Sequence, residues 1–282
     1  MANNENAIAT LSAEEIQKLE NFRLPEQADS DFTLEELSAD MEGIQLSLPR
    51  VKIPSGGALQ FEEPGGDPDD PEYSKTIEGI LVFNHQARAY WKQDRAAGDD
   101  NVPPNCSSVD GNNGIGTPGG LCALCPMNAW GSSEKGRGKA CKDLRQLYLL
   151  RNGDFLPTNL SLPPTSLKPF NDFMSTEFIT RRRAACGSVI RIGLKRENNG
   201  KDDYSVAAFT RLYNFSGEKL AQVRKYSKDI AEQIKAMLVQ QTVEAENRVF
   251  IEEPDDSVVV DATFSETAAR LAMASVPGDL PL

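Results

Sequence analysis

The sequence predicts a mainly β protein with helices: a five-stranded sheet, an inserted loop carrying four cysteines, and a C-terminal helix. Three observations predict it. The run KTIEGILVFNHQARAYW (75–91) is rich in β-branched and aromatic residues and reads as one long strand. Two pairs of apolar runs follow it, each pair joined by turn residues. Between those pairs a helical pattern begins just after Pro163 and Pro164.

Taken in order, residues 1–45 form an acidic N-terminal arm, mobile or used for docking. Helical spacing appears there at Ile16, Leu19 and Phe22, and again at Leu34, Leu37 and Met41, where Thr33 and Glu36 can form a capping box. LPRVKIPSGG reads as an extended lead-in, and EEPGGDPDDPEY (62–73) as an exposed loop. After the long strand comes the glycine-rich cysteine insertion, 96–145. RQLYLLR (145–151) and DFLPTNLSL (154–162) then read as a hairpin across Asn152-Gly153. TSLKPFNDFMSTEFI predicts a helix burying Leu167, Phe170, Phe173 and Met174. GSVIRIGLKRE (187–197) and DYSVAAFTRLYNF (203–215) predict a second hairpin over ENNGKD. A helix over 217–239, with Leu220, Val223, Ile230, Ile234 and Met237 inward, ends the body at about residue 250. Five strands with one helix between the third and fourth is the order of an OB-fold-like five-stranded barrel; another small α+β sheet is the alternative.

The 282 residues allow one substantial core. No run of about 18 apolar residues exists and no signal peptide precedes the body, so the expectation is a cytoplasmic protein with no membrane contact. The net charge of −12 is unevenly spread. Residues 1–45 carry eleven acids against two bases, and the tail, 251–282, seven against one. Residues 134–235 carry 20 bases against 11 acids. A basic body between acidic ends points to a polyanionic partner.

Cys106, Cys122, Cys125 and Cys141 follow the spacing C-x15-C-x2-C-x15-C. In a reducing compartment this pattern reads as metal ligation rather than disulfides. The close pair grips an ion from a tight turn and the outer two complete a tetrahedral thiolate shell. Such a shell has no open position, so one structural Zn2+ is expected; an iron–sulfur cluster or free buried thiols are the alternatives. Cys186 reads as a core residue and His85, the only histidine, as a satisfied strand residue. One histidine and a closed shell leave no Ser/His/Asp or Cys/His arrangement, and no phosphate loop of the G-x-x-x-x-G-K-[ST] type appears; the expectation is that the protein is not an enzyme.

Cations and rings cluster in the body. Lys135, Arg137, Lys139, Lys142, Arg145 and Arg151 follow the cysteines, with Arg181, Arg182, Arg183, Arg191, Lys195 and Arg196 further on. Binding of single-stranded nucleic acid needs cations along the phosphates and flat rings stacked on bases. The candidate groove comprises Arg88, Tyr90, Trp91, Trp130, Lys139, Lys142, Arg145, Tyr148, Arg181, Arg182, Arg183, Lys195, Arg196, Phe209, Arg211 and Tyr213. Alternation puts Phe209, Arg211 and Tyr213 on one strand face. Surface solvation for the cations and core packing for the rings are the alternatives.

The long aromatic strand, the cysteine loop with its basic exit, LSLPPTSLKPFNDF and the later strand pair together resemble single-stranded DNA-binding proteins of bacteriophages and mobile elements. Among these they look most like the zinc-containing OB-fold type typified by the T-even phage helix-destabilising protein. Here four cysteines stand where that type uses three with a histidine, and the N-terminal arm is acidic rather than basic. The final PGDLPL is similar to the acidic tips of bacterial single-stranded DNA-binding proteins; Asp279, Pro281 and Leu282 match that tip, which the resemblance implies docks replication and recombination partners. The resemblance implies a protein that coats single-stranded DNA during replication or recombination in a bacterial host cell. A zinc-stabilised protein-interaction module of a replication or virion complex is the other reading.

Overall fold

The computed structural model describes residues 12–25, 48–67, 70–92, 102–134 and 138–249. The helical pattern at 34–41 and the acidic tail with Asp279, Pro281 and Leu282 lie outside them, as do Lys135 and Arg137. The body is mainly β. The long strand signal forms β4 (Thr76–Tyr90), and the cysteine insertion adds three short strands, β5 (Cys106–Ser108), β6 (Asn113–Gly116) and β7 (Gly120–Leu121). The two hairpins are β8 (Lys142–Leu150) with β9 (Thr158–Leu162), and β10 (Ser188–Asn198) with β11 (Asp203–Asn214). Ahead of them lie β1 (Arg50–Val51), β2 (Phe61–Asp67) and β3 (Asp70–Ser74). The helices are α1 (Ala13–Glu20), α2 (Pro164–Phe173) and α3 (Gly217–Val249).

One mixed sheet runs β1-β9-β8-β4-β5-β6-β7, with β10 also pairing β4 and β11 beyond it. β4 therefore pairs β8 along one edge, and on the other edge β10 near its start and β5 near its end. The sheet does not close: no ladder joins β9 to β11 among the described residues, so the expected barrel is corrected to an open sheet. Residues 50–58 bridge the gap. Val51 pairs in parallel with Leu160, while further on the Gly57 carbonyl accepts from Arg196 Nε at 2.8 Å and the Ala58 carbonyl from Ser205 Oγ at 2.6 Å.

Both sheet faces are covered. On one, Ile77, Leu81, Leu147, Leu149, Leu160, Leu162, Ile190 and Ile192 pack under Phe170, Phe173 and Phe178 of α2 and the turn after it. Ser166 of α2 accepts the backbone N–H of Ala207 at 2.9 Å, fixing that helix to β11. On the other face Ile80, Val82, Tyr148, Leu150 and Val189 meet Val223, Ile230 and Ile234 of α3. Leu19, Phe22 and Leu24 join this second cluster, so the first described segment of the arm is part of the body. Its helix starts at a full capping box between Ser12 and Glu15. The Phe22 ring meets Phe215 edge-on at 5.9 Å, and the Arg23 N–H donates to Asn152 Oδ1 at 2.7 Å.

Two local expectations change. The acidic segment 62–73 is not a free loop but most of the β2–β3 hairpin, anchored by fully buried Phe61 and by Glu63 on Arg151. The Asn152-Gly153 turn does not close a two-residue hairpin; β8 and β9 pair up to Leu149 and Thr158, and the longer loop is pinned by Arg23 and by Tyr226, which donates to the Phe155 carbonyl at 3.1 Å.

Removing a buried aromatic ring costs about 3–5 kcal/mol. Phe22→Ala should therefore lower stability by about 3 kcal/mol in urea unfolding of the full chain. A loss below about 1 kcal/mol would show that the arm merely rests on the body.

Candidate metal centre and nucleic-acid interface

The cysteine lobe grows out of the end of β4. Cys106 pairs with Tyr90, and Ser108 with Arg88, so β5 is fixed by the sheet. Asp110 shapes the next turn, accepting from Ser108 Oγ at 2.9 Å, Asn112 N–H at 2.7 Å and Asn113 N–H at 2.9 Å. Burial would raise its pKa, but the two backbone donors prevail and hold it below the usual carboxylate range. The close pair sits on a turn in which Cys122 N–H donates to the Asn112 carbonyl at 2.8 Å and Cys125 N–H to the Cys122 carbonyl at 3.4 Å. Cys141 is held by its own N–H on the Met127 carbonyl at 2.8 Å, immediately before β8.

These contacts bring all four thiols to the wall of one cavity, with Arg88, Tyr90, Met127 and Asn128 beside them. Glycine at 114 is required there, because a Cβ would stand 2.9 Å from Cys106 Sγ. All five cysteines are free thiols. Burial pushes the Cys106 thiol up, and pushes Cys141 up to about 11, with the neighbouring sulfurs adding to both. The neighbouring sulfurs thus oppose the ionisation of Cys106 and Cys141, and a cation among them would reverse that balance. Among the described residues no group of three or more His, Cys, Asp or Glu side chains stands in a metal-holding arrangement. The donor set nevertheless suits a soft divalent ion: four sulfurs around one cavity, on a loop cleared by a glycine.

Polar side chains tie this lobe to the sheet. Asn128 Nδ2 donates to the Cys122 carbonyl at 2.8 Å, and its Oδ1 accepts from Lys139 Nζ at 3.1 Å and from Arg88. Arg88 Nε donates to the Gly111 carbonyl at 2.9 Å, and both Arg88 and Lys139 pair with Asp143 at 3.1 Å. Lys142 Nζ donates to the Lys139 carbonyl at 3.1 Å. Arg88 and Lys139, expected on phosphates, hold the lobe instead. Asn128 and Asp143 were not singled out from the sequence; the i,i+4 spacing of Lys139 and Asp143 was the one signal for the latter.

The expected stacking platform is redistributed. Tyr148 is buried, its hydroxyl 3.0 Å from His85 Nε2 and its pKa pushed up to about 12 by burial, so it cannot stack on a base. Phe209 packs against Phe170 and Phe173 at 5.4 and 5.5 Å. Phe209, Arg211 and Tyr213 do not share a face. Arg211 pairs with Ile190 and Tyr213 with Val189, leaving Leu212 as the extra residue of a β-bulge that turns Tyr213 to the opposite cluster. Arg211 Nε donates to Glu177 at 2.8 Å, and Arg145 Nε to Asn84 Oδ1 at 2.6 Å with its guanidinium over Phe170.

Other candidates stay accessible. Trp130 is 81% exposed, and Tyr90 and Trp91 are half-buried at the base of the lobe, Trp91 Nε1 donating to the Val102 carbonyl at 3.0 Å. Arg181, Arg182 and Arg183 are exposed just before β10, and Lys195 and Arg196 near its end. Gly193 pairs with Thr76, whereas Arg88 pairs with Ser108, so Lys195 and Arg196 stand on the order of 40 Å of strand away from the lobe at about 3.3 Å per residue. The candidates therefore do not form one groove. Cys186 is half-buried against the second cluster.

Comparison with protein-family models, with characterised proteins and with solved structures finds no match for this chain.

His85 is held neutral. Burial depresses its pKa, Nδ1 lies 3.0 Å from the Gln86 carbonyl, and Nε2 faces the Tyr148 hydroxyl. The unfolded chain takes up a proton that the folded chain resists, so stability falls as pH drops below the ordinary imidazole value of 6.5. Between about pH 7 and 5.5 the melting temperature should fall further for the natural chain than for His85→Gln. Parallel profiles would remove His85 as the cause.

Proposed function

We propose that this protein binds single-stranded DNA with little sequence preference, coating it during replication or recombination of a phage or mobile element. The observation that carries this reading is the strand order β9-β8-β4-β10-β11 with α2 between β9 and β10. Numbered along the chain from β4, that order is third, second, first, fourth, fifth, with the helix after the third, as in OB-folds. The cysteine lobe then occupies the connection between the first and second strands, one of the two loops with which OB-folds hold oligonucleotides.

The accessible part of the corresponding strand face supports the reading. Beyond the cover of α3, Lys142, Gln146 and Ser161 are half-exposed on β8 and β9, polar and uncluttered by acids of their own strand face. Trp130 projects from the lobe and offers a ring to an unstacked base, worth about 1–3 kcal/mol. Cations outside the internal ion pairs meet phosphates, and the acidic ends compete for them.

Cys106, Cys122, Cys125 and Cys141 would hold one Zn2+, which when bound supplies a cross-link to a lobe that lacks an apolar centre. The chain's own contribution is orientation, with Asn128 fixing the Cys122 carbonyl and Arg88 fixing Asn128. Metal analysis of protein made in zinc-containing medium should give one ion per chain. Asn128→Ala should lower affinity in chelator competition about 10–100-fold, as loss of outer-shell support does. Retention of zinc by a variant lacking both Cys122 and Cys125 would refute this shell.

The test of the function is a fluorescence titration of the two tryptophans with oligo-dT and with duplex DNA at about 50 and 200 mM salt. Quenching by the single strand, lost at the higher salt and weakened in Trp130→Ala, is expected. One observation favours the protein-interaction reading: Leu121, Leu124 and Trp130 are all largely exposed on the lobe. Absence of single-strand binding by metal-loaded protein at low salt would decide for it.

A further inference from the structure

We propose that the turn over residues 174–183 is the anchor for the phosphodiester backbone of the single strand; this rests on the reading above and says which part of the protein makes the contact. The turn begins where α2 widens. Met174–Ile179 forms one π-helical turn, in which Thr180 N–H donates to the Ser175 carbonyl at 2.9 Å. Such widened turns are frequent at functional sites. The chain then reverses at Arg182, with φ at 53° the single non-glycine residue of positive φ among the described residues. L residues with side chains rarely adopt that conformation, and it persists only where the surroundings enforce it.

The surroundings do enforce it. Arg182 N–H donates to the Ile179 carbonyl at 3.0 Å and Arg183 N–H to the Phe178 carbonyl at 2.9 Å. Phe178 is fully buried and meets Phe173 edge-on at 5.4 Å, which fastens the turn to the core. Glu177 is engaged by Arg211 at 2.8 Å and Arg181 at 3.3 Å, so its charge is neutralised within the protein.

What this scaffold presents outward is a pair of adjacent guanidinium groups, where the exposed Arg23, Arg50 and Arg224 each stand apart in sequence from any other arginine. Arg88, Arg145, Arg151, Arg191, Arg196 and Arg211 each donate to an acceptor of the protein. The guanidinium groups of Arg182 and Arg183 are exposed and meet no such acceptor among the described residues. Beside them Ile179 is 69% exposed. The left-handed arginine closes the helix end through the two backbone bonds to Ile179 and Phe178 and so fixes where the guanidinium groups stand. Two adjacent guanidinium forks suit consecutive phosphates, and an exposed apolar side chain on the same turn suits a sugar or an unstacked base. A duplex keeps its base faces stacked, so the apolar element selects the single strand.

The test uses the full metal-loaded chain and the anisotropy of labelled oligo-dT across salt. Arg182→Gly combined with Arg183→Ala removes both charges while glycine accepts the positive φ, so the turn is kept. The log–log salt slope should become shallower by about 1.4, two phosphates at about 0.7 each. Ile179→Ser should weaken binding several-fold at every salt concentration with the slope unchanged. An unaltered slope in the double variant, alongside normal binding by the natural chain, would overturn the anchor and leave the functional reading standing. No binding by the natural chain would overturn both. Equal loss of duplex and single-strand binding in Ile179→Ser would overturn the assignment to single strands.

Discussion

Strand β4 carries ladders to three other strands, and the positions of both hairpins and of the cysteine lobe follow from it. Its 15 residues outlast any single partner, so β10 takes the first part of one edge and β5 the last, while β8 follows the other edge. Both its faces are buried where the hairpins meet, which is why 80–83 reads Ile-Leu-Val-Phe without alternation. Where the helices stop covering it, the same strand turns to Asn84, Gln86 and Arg88, and the polar lobe can be attached.

That lobe depends on β4 because the described side chains it buries are cysteine and serine rather than large apolar ones. Among the described residues between 92 and 141, none belongs to either apolar cluster. Its order comes from short ladders, from the carboxylate of Asp110, from the Arg88–Asn128–Asp143 network and from the convergence of four thiols. Each of these is polar or ionisable. The stability of the lobe therefore responds to pH and salt, while that of the sheet responds to packing.

Much of the fold was legible in the sequence because its signals are long. The strands β10 and β11 and the long strand β4 have the lengths and β-branched content that single strands need, and they stand within about a residue of their expected ends. What was not legible shares one cause: it depends on register or on partners far along the chain. Bulges at Val82 and Leu212 each shift the phase of alternation, so face assignments made by counting residues fail beyond them. The arginines read as phosphate contacts find acids that spacing does not reveal, such as Glu177 for Arg211 and Glu63 for Arg151. The hairpin at 61–74 was hidden by its prolines and acids, since its one strong determinant is the burial of Phe61. The four cysteines singled out by their spacing do line one cavity.

The parallel pairing of Arg50 with Asn159 sets an order of events during synthesis. β1 emerges from the ribosome roughly a hundred residues before the strand it lies against, and β4 must likewise wait for β8 and β10. Until β9 has been made, the leading segment has no sheet to join, and until β8 has been made the apolar run of β4 has no ladder. Long-range pairings of this kind close slowly. The nascent chain thus passes through a stage in which this apolar run is flanked by polar, acid-rich sequence, the placement that gatekeeper residues take beside hydrophobic strands.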